Sequence, residues 1–213
     1  MAKLTAAQKA LAASDPVMAD LVKRLGPMSV AERRRRRGQP PRDDAYVALV
    51  RAVVGQQLST KAARTIYDRV VALFDDGVPN PEQLLAADED ALRGAGLSGR
   101  KVEYLRDLAS HVIDGQLELD RLSELSDSEV IEEITAVRGL GRWTAEMFLM
   151  FHLGRPDVVS GGDLGIRRAI QTEYGLDDPP TPDDVIERAE AWRPNRTLAC
   201  IYLWESLAAT PVS

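Results

Sequence analysis

An all-α fold in two helical lobes is predicted from three observations. Alanine and leucine are abundant, β-branched runs bounded by tight-turn dipeptides are scarce, and apolar residues recur at intervals of three and four through most of the chain. With 213 residues, 45% apolar and 28% charged, the chain has the composition of an ordinary globular protein and is long enough to bury a sizeable core.

The elements follow in order. Residues 1–15 read as a short, frayed opening. Asp15-Pro16 starts a helix that ends near Gly26, since proline suits a first helical turn and glycine an exit. The run Arg33-Arg34-Arg35-Arg36-Arg37, closed by Gly38 and Pro40-Pro41, reads either as a mobile surface linker or as a patch attracting phosphate. From Asp43 the pattern is strongly helical, with an apolar stretch from Ala45 to Val54 that ends in Gly55-Gln56-Gln57-Leu58. Ser59 caps the next helix, whose Ala63, Ile66, Val70, Leu73 and Phe74 form one stripe. Short helices begin at Pro81 and Asp88 and close at Gly94-Ala95-Gly96. Ser98 caps another, with Val102, Leu105, Leu108, Ala109 and Val112 at core spacing. Further helices are expected over 126–136, 142–153, 163–174, 182–192 and 195–209. The expected organisation is an extension over 1–42 that packs on the second lobe, a first lobe over 43–125 and a second lobe over 126–213.

Composition also excludes. A single cysteine, Cys200, allows no intrachain disulfide and no four-thiolate zinc or iron–sulfur site, and two histidines are too few for a metal centre. No segment reaches 18 uninterrupted apolar residues, so a soluble, cytoplasmic protein without membrane contact is expected. The net charge of −6 argues mildly against a nucleic-acid partner, unless the basic residues gather on one face.

The most informative stretch is Val137-Arg138-Gly139-Leu140-Gly141-Arg142-Trp143-Thr144-Ala145-Glu146. Two glycines between amphipathic helices permit positive φ and the close approach of another backbone. The first amides of the second helix, with the positive end of its dipole, suit a phosphate oxygen. Such contacts carry no base identity.

This stretch resembles the helix-hairpin-helix of the DNA glycosylase superfamily. Gly161-Gly162-Asp163 resembles that superfamily's Gly/Pro-rich loop and aspartate, although Gly161-Gly162 leaves the loop more flexible than usual. Val54-Gly55-Gln56-Gln57-Leu58-Ser59-Thr60-Lys61-Ala62-Ala63, Leu97-Ser98-Gly99-Arg100-Lys101-Val102-Glu103-Tyr104-Leu105, Ala191-Trp192-Arg193-Pro194 and Tyr202-Leu203-Trp204 are similar to the DNA-3-methyladenine glycosylase II branch. The resemblance runs in order from about residue 43 to 209.

It implies an active-site cleft between the lobes and a monofunctional glycosylase acting on double-stranded DNA. The enzyme flips an alkylated purine (3-methyladenine or 7-methylguanine class) from the stack and leaves an abasic site. Asp163 is the implied catalytic carboxylate, and Trp143, Trp204 and Met147 the implied base pocket. Gln57, flanked by Gln56 and Leu58, is the implied plug for the vacated stack. Gly139, Gly141, Arg142, Thr144 and Lys101 are implied DNA-backbone contacts. No cofactor is required; a structural Na+ or K+ on the carbonyls of Thr135, Val137 and Leu140 is implied by relatives. Bifunctional relatives carry a lysine where this chain has Trp143, which removes the Schiff-base route. Nothing in the sequence suggests an obligate oligomer, so a monomer is expected. Two alternatives stay open at this point: a glycosylase for hypoxanthine, uracil or an oxidised purine, and a non-catalytic helix-hairpin-helix module.

Overall fold

The computed structural model describes residues 3–36 and 44–209, and among these every regular element is helical. In order they are α1 (Ala6–Ser14), α2 (Pro16–Leu25), α3 (Val30–Arg36), α4 (Ala45–Gly55), α5 (Thr60–Val71), α6 (Pro81–Ala86), α7 (Glu89–Gly94), α8 (Gly99–Ile113), α9 (Asp127–Ala136), α10 (Arg142–Met147), α11 (Leu164–Tyr174), α12 (Pro182–Ala189) and α13 (Arg196–Ala209). A 3-10 turn lies at Leu119–Ser123 and another at Glu190–Trp192, while α10 runs on into a π-helical turn at Phe148–Leu153. Among the described residues no helix is long and apolar enough to cross a membrane.

Most starts follow from local capping. Side chains of Asp15, Asp44, Ser59, Asn80, Asp88, Ser98, Ser126, Asp163 and Thr181 each accept a backbone N–H from the first turn they precede. Two segments depart from expectation. Residues 6–14 are a helix and no frayed opening, because Thr5 and Gln8 form a reciprocal capping box. The arginine run forms most of α3, so at Arg33 to Arg36 it is no linker; Arg37 lies outside the described residues.

The chain divides into two compact units, one of Met1–Pro41 with Leu149–Ser213 and one of Arg42–Phe148. Contacts group the extension with the C-terminal helices and the segment 126–148 with the helices before it, so the division falls at 149, where 126 was expected. The cause is a set of contacts to α8: the Arg138 N–H donates to Asp107 Oδ2 at 2.7 Å, and the Arg138 guanidinium meets Glu103 at 3.1 Å.

In the Arg42–Phe148 unit, α4 and α8 supply the core, with Val50, Val53, Val54, Leu105, Leu108 and Ala109 fully buried. Each large aliphatic side chain sealed there contributes roughly 1.5–3 kcal/mol. In the other unit, α13 packs against α11 and α2, and Trp192 and Tyr202 are the largest side chains fully enclosed. Asp15 ties the N-terminal helices in: its Oδ2 accepts from Tyr174 Oη at 2.5 Å and from Trp192 Nε1 at 3.1 Å.

Candidate DNA-repair active site

The carboxylate of Asp163 is held twice through one oxygen. Its Oδ1 accepts the Ile166 N–H at 2.8 Å, as the cap of α11, and the Trp204 indole N–H at 2.9 Å. Capping and a reactive role are therefore not alternatives, since the cap fixes the carboxylate while leaving a negative charge at a helix start, where the dipole favours it.

The loop ahead of Asp163 is fixed despite its two glycines. Arg196 grips Asp157 through Nε at 2.9 Å and the Asp157 carbonyl through Nη2 at 2.6 Å. Thr197 Oγ1 accepts from the Val158 N–H at 3.1 Å, and the Thr197 N–H donates to Pro156 O at 3.0 Å. Gly161 sits so close to α12 that a Cβ there would come within 2.7 Å of the Pro182 carbonyl. Packing supplies the rigidity expected to be missing.

Around Trp204 the sequence reading missed several residues. Phe151, on the π-helical turn, faces Trp204 with ring centroids 5.8 Å apart and planes tilted by 39°. Arg33 lies over both rings, with its guanidinium carbon 4.8 Å from the Trp204 centroid and 5.0 Å from that of Phe151. Gly165 lets the indole approach: a Cβ there would stand 3.0 Å from Asp163 Oδ1 and 3.3 Å from Trp204 Nε1. Leu164 exposes half of its side chain directly after Asp163. A glycine inside a predicted helix two residues after the aspartate was the one available signal, because interior glycine costs about 1 kcal/mol and needs a reason.

In the Arg42–Phe148 unit the turn after α4 and the hairpin are joined. Gln56 Nε2 donates to Gly139 O at 2.8 Å, and Gln57 takes a left-handed backbone, φ 57°, as the only described non-glycine residue to do so. Gln57 and Leu58 project outward, whereas the Gln56 side chain is committed to the hairpin. Lys101, expected as a phosphate contact, is engaged within this unit. Its ammonium donates to the carbonyls of Val54 and Gln56 at 2.7 and 2.8 Å, closing the end of α4, and burial pulls its pKa below the ordinary lysine range.

The hairpin turn has Gly139 at φ 85°, and Gly141 begins α10 without any side-chain cap. Thr144 is buried, and its N–H donates to Gly141 O at 2.9 Å. Arg142 is largely exposed, with Nε on the buried carboxylate of Glu146 at 2.9 Å. Trp143 exposes 48% of its surface, an unusual state for an indole, and Met147 is partly buried. Cys200 is fully buried in α13.

Comparison with known proteins bears on this arrangement. Residues 50–194 match the family model of the HhH-GPD superfamily base excision DNA repair proteins. The chain is 38% identical over 165 residues to DNA-3-methyladenine glycosylase 1 of Schizosaccharomyces pombe, covering 76% of this chain and 72% of that one. A solved structure of the S. pombe 3-methyladenine DNA glycosylase Mag1 in complex with abasic DNA superposes with a TM-score of 0.84 at 34% identity, over 96% of this chain and 97% of that one. A DNA-3-methyladenine glycosidase from Bacillus halodurans gives 0.81 at 38% identity, over 95% and 89%. Family match and helical framework thus agree, and the chain belongs to the HhH-GPD superfamily of base excision DNA repair proteins.

Proposed function

We propose that this chain is a monofunctional DNA-3-methyladenine glycosylase that removes alkylated purines from double-stranded DNA. The observation carrying the reading is the Asp163 carboxylate, oriented by the Trp204 indole N–H beside the Phe151–Trp204 aromatic pair.

Alkylation at N3 or N7 makes the purine cationic and a good leaving group, so no separate general acid is required. As the bond from N9 to C1′ breaks, its electron pair leaves with the base and positive charge spreads over the sugar. A fixed carboxylate stabilises that charge. Water then bonds to C1′, and its proton passes to Asp163 and on to solvent. The product is an intact strand with an abasic site. Trp204 offers an electron-rich face to a flipped cationic base, worth roughly 1 kcal/mol or more for a good contact. Gln57 and Leu58 fill the vacated stack, and Gly139, Gly141 and Arg142 meet the phosphates. A Na+ or K+ on the carbonyls of Thr135, Val137 and Leu140 would add positive charge beside them. The enzyme acts as a monomer in the cytoplasm, at the nucleoid in a prokaryote.

The test is base release from duplexes carrying one 7-methylguanine, wild type against Asp163→Asn. Release is expected to vanish in the variant while affinity for an abasic duplex is kept, and strands should break only after alkali. Undiminished release by Asp163→Asn removes the mechanism. Faster release of hypoxanthine or uracil than of methylated purines removes the substrate class.

A further inference from the structure

Arg33 is an unusual member of the arginine run. Arg35 keeps 79% of its side chain exposed, but Arg33 keeps only 12%, and the Glu205 carboxylate facing it keeps 10%. Arg33 Nε lies 3.5 Å from Glu205 Oε1, while its guanidinium carbon sits over Trp204 at 4.8 Å and over Phe151 at 5.0 Å from the ring centroids. Burying a guanidinium is costly unless it is paired. Here the pairing partner and one of the covered rings are neighbours on α13, and that ring is the indole that donates to Asp163 at 2.9 Å.

We propose that Arg33 is a positioning residue for base excision. Neutralised by Glu205, its guanidinium pins the Trp204 indole in the one plane from which Nε1–H reaches Asp163, and through that bond sets the direction of the carboxylate. An indole has two side-chain torsions, and a flat cation against its face restrains both. Gly165 removes the obstacle on the Asp163 side, and Arg33 supplies the restraint on the ring. Glu205 has a second effect: it cancels a charge that would otherwise repel a cationic base stacking on the same aromatic pair. The inference rests on the reading of Asp163 as the reacting carboxylate.

The experiment measures single-turnover release of 7-methylguanine (cationic) and hypoxanthine (neutral) by the full chain and by Arg33→Met, Arg33→Lys, Glu205→Gln and Asp163→Asn. Abasic-duplex affinity and thermal unfolding are recorded for each. Arg33→Met is expected to lower the rate about tenfold on both lesions with affinity unchanged. Arg33→Lys, which keeps the charge and loses the plane, should recover part of it. Glu205→Gln should slow the cationic lesion more than the neutral one. Independently of activity, the chain's three tryptophans give three indole N–H signals in 15N-tryptophan-labelled protein. The signal lost in Trp204→Phe should move or broaden in Arg33→Met.

If Arg33→Met leaves both the rate and that signal unchanged while Asp163→Asn is inactive, the positioning role fails and the glycosylase reading stands. If Arg33→Met weakens affinity at an unchanged single-turnover rate, Arg33 is a DNA contact and the proposal is overturned. If Asp163→Asn retains full activity, both fall. Should Arg33→Met not fold, the Arg33→Lys rate and indole signal decide: values identical to wild type overturn the planar restraint.

Discussion

The ring of Tyr104 lies against Gly139 so tightly that a Cβ at 139 would come within 2.2 Å of Tyr104 Cγ. Glycine is required there by two separate constraints, the positive φ of 85° and the flat aromatic surface pressed on the turn. The Gln56 amide, bonded to the carbonyl of the same residue, adds a third hold.

Gly139→Ala should therefore destabilise the protein by about 2–5 kcal/mol, summing left-handed strain of roughly 1–2 with overpacking of roughly 1–3 kcal/mol. Adding Tyr104→Ala should return only the overpacking part. Chemical denaturation of the two single variants and the double variant measures this. A Gly139→Ala variant within 0.5 kcal/mol of wild type, roughly the noise of a surface substitution, contradicts the account.

Gly165→Ala puts a methyl 3.0 Å from Asp163 Oδ1 and 3.2 Å from Trp204 Cδ1. Alanine gains up to about 1 kcal/mol of helix propensity, which offsets the crowding, so stability should change little. Turnover should fall about five- to tenfold, the worth of one oriented hydrogen bond. Unfolding curves and single-turnover rates separate the two effects, and unaltered turnover counts against the geometry.

Lys101→Met should cost roughly 1–2 kcal/mol of stability, since two carbonyls at the end of α4 lose a charged donor. The slope of log affinity for duplex DNA against log salt should stay at the wild-type value. A lysine neutralising a phosphate would instead reduce that slope by about 1, and such a reduction would restore the role the sequence suggested.

Asp15 links stability to pH. Burial alone would raise its pKa, but the hydrogen bonds from Tyr174, Trp192 and the amides of Val17 and Met18 together outweigh it and lower the pKa. A carboxylate depressed on folding contributes stability that is complete above the unfolded value of about 3.9. That contribution is lost as pH falls through the lower folded value. Asp15→Asn should lower stability at neutral pH and flatten its decline below about pH 4, as read by urea midpoints across pH 3 to 7. Parallel acid limbs for wild type and variant would refute the assignment.

Short-range chemistry explains what the sequence disclosed. Ser59, Ser98, Ser126 and Asp163 announce their helices because a cap and its amides lie within three residues, and the spacing of Gly139 and Gly141 likewise marks a hairpin. The capping box of Thr5 and Gln8 is equally local, and it makes a helix of residues 6–14 where a frayed opening was expected. Long-range contacts stayed hidden. Nothing near Lys101 shows that the carbonyls of Val54 and Gln56 will meet its ammonium, and nothing in five consecutive arginines singles out the one that Glu205 and Trp204 enclose. The unit boundary at 149 was illegible for the same reason, since Tyr104, Glu103 and Asp107 claim the hairpin across the sequence.

The unit that carries Asp163 is assembled from two separate stretches, Met1–Pro41 and Leu149–Ser213, with the Arg42–Phe148 unit between them in sequence. On the ribosome, α1 to α3 emerge before the Arg42–Phe148 unit, and beyond the packing of α1 on α2 they lack their partners until α11 and α13 are made. The inserted unit can complete its own core earlier, because domains generally fold as units in the order of synthesis. The carboxylate's surroundings are then completed only once α13 has been made, and a nascent chain stalled short of α13 would have the hairpin without Trp204 to orient Asp163.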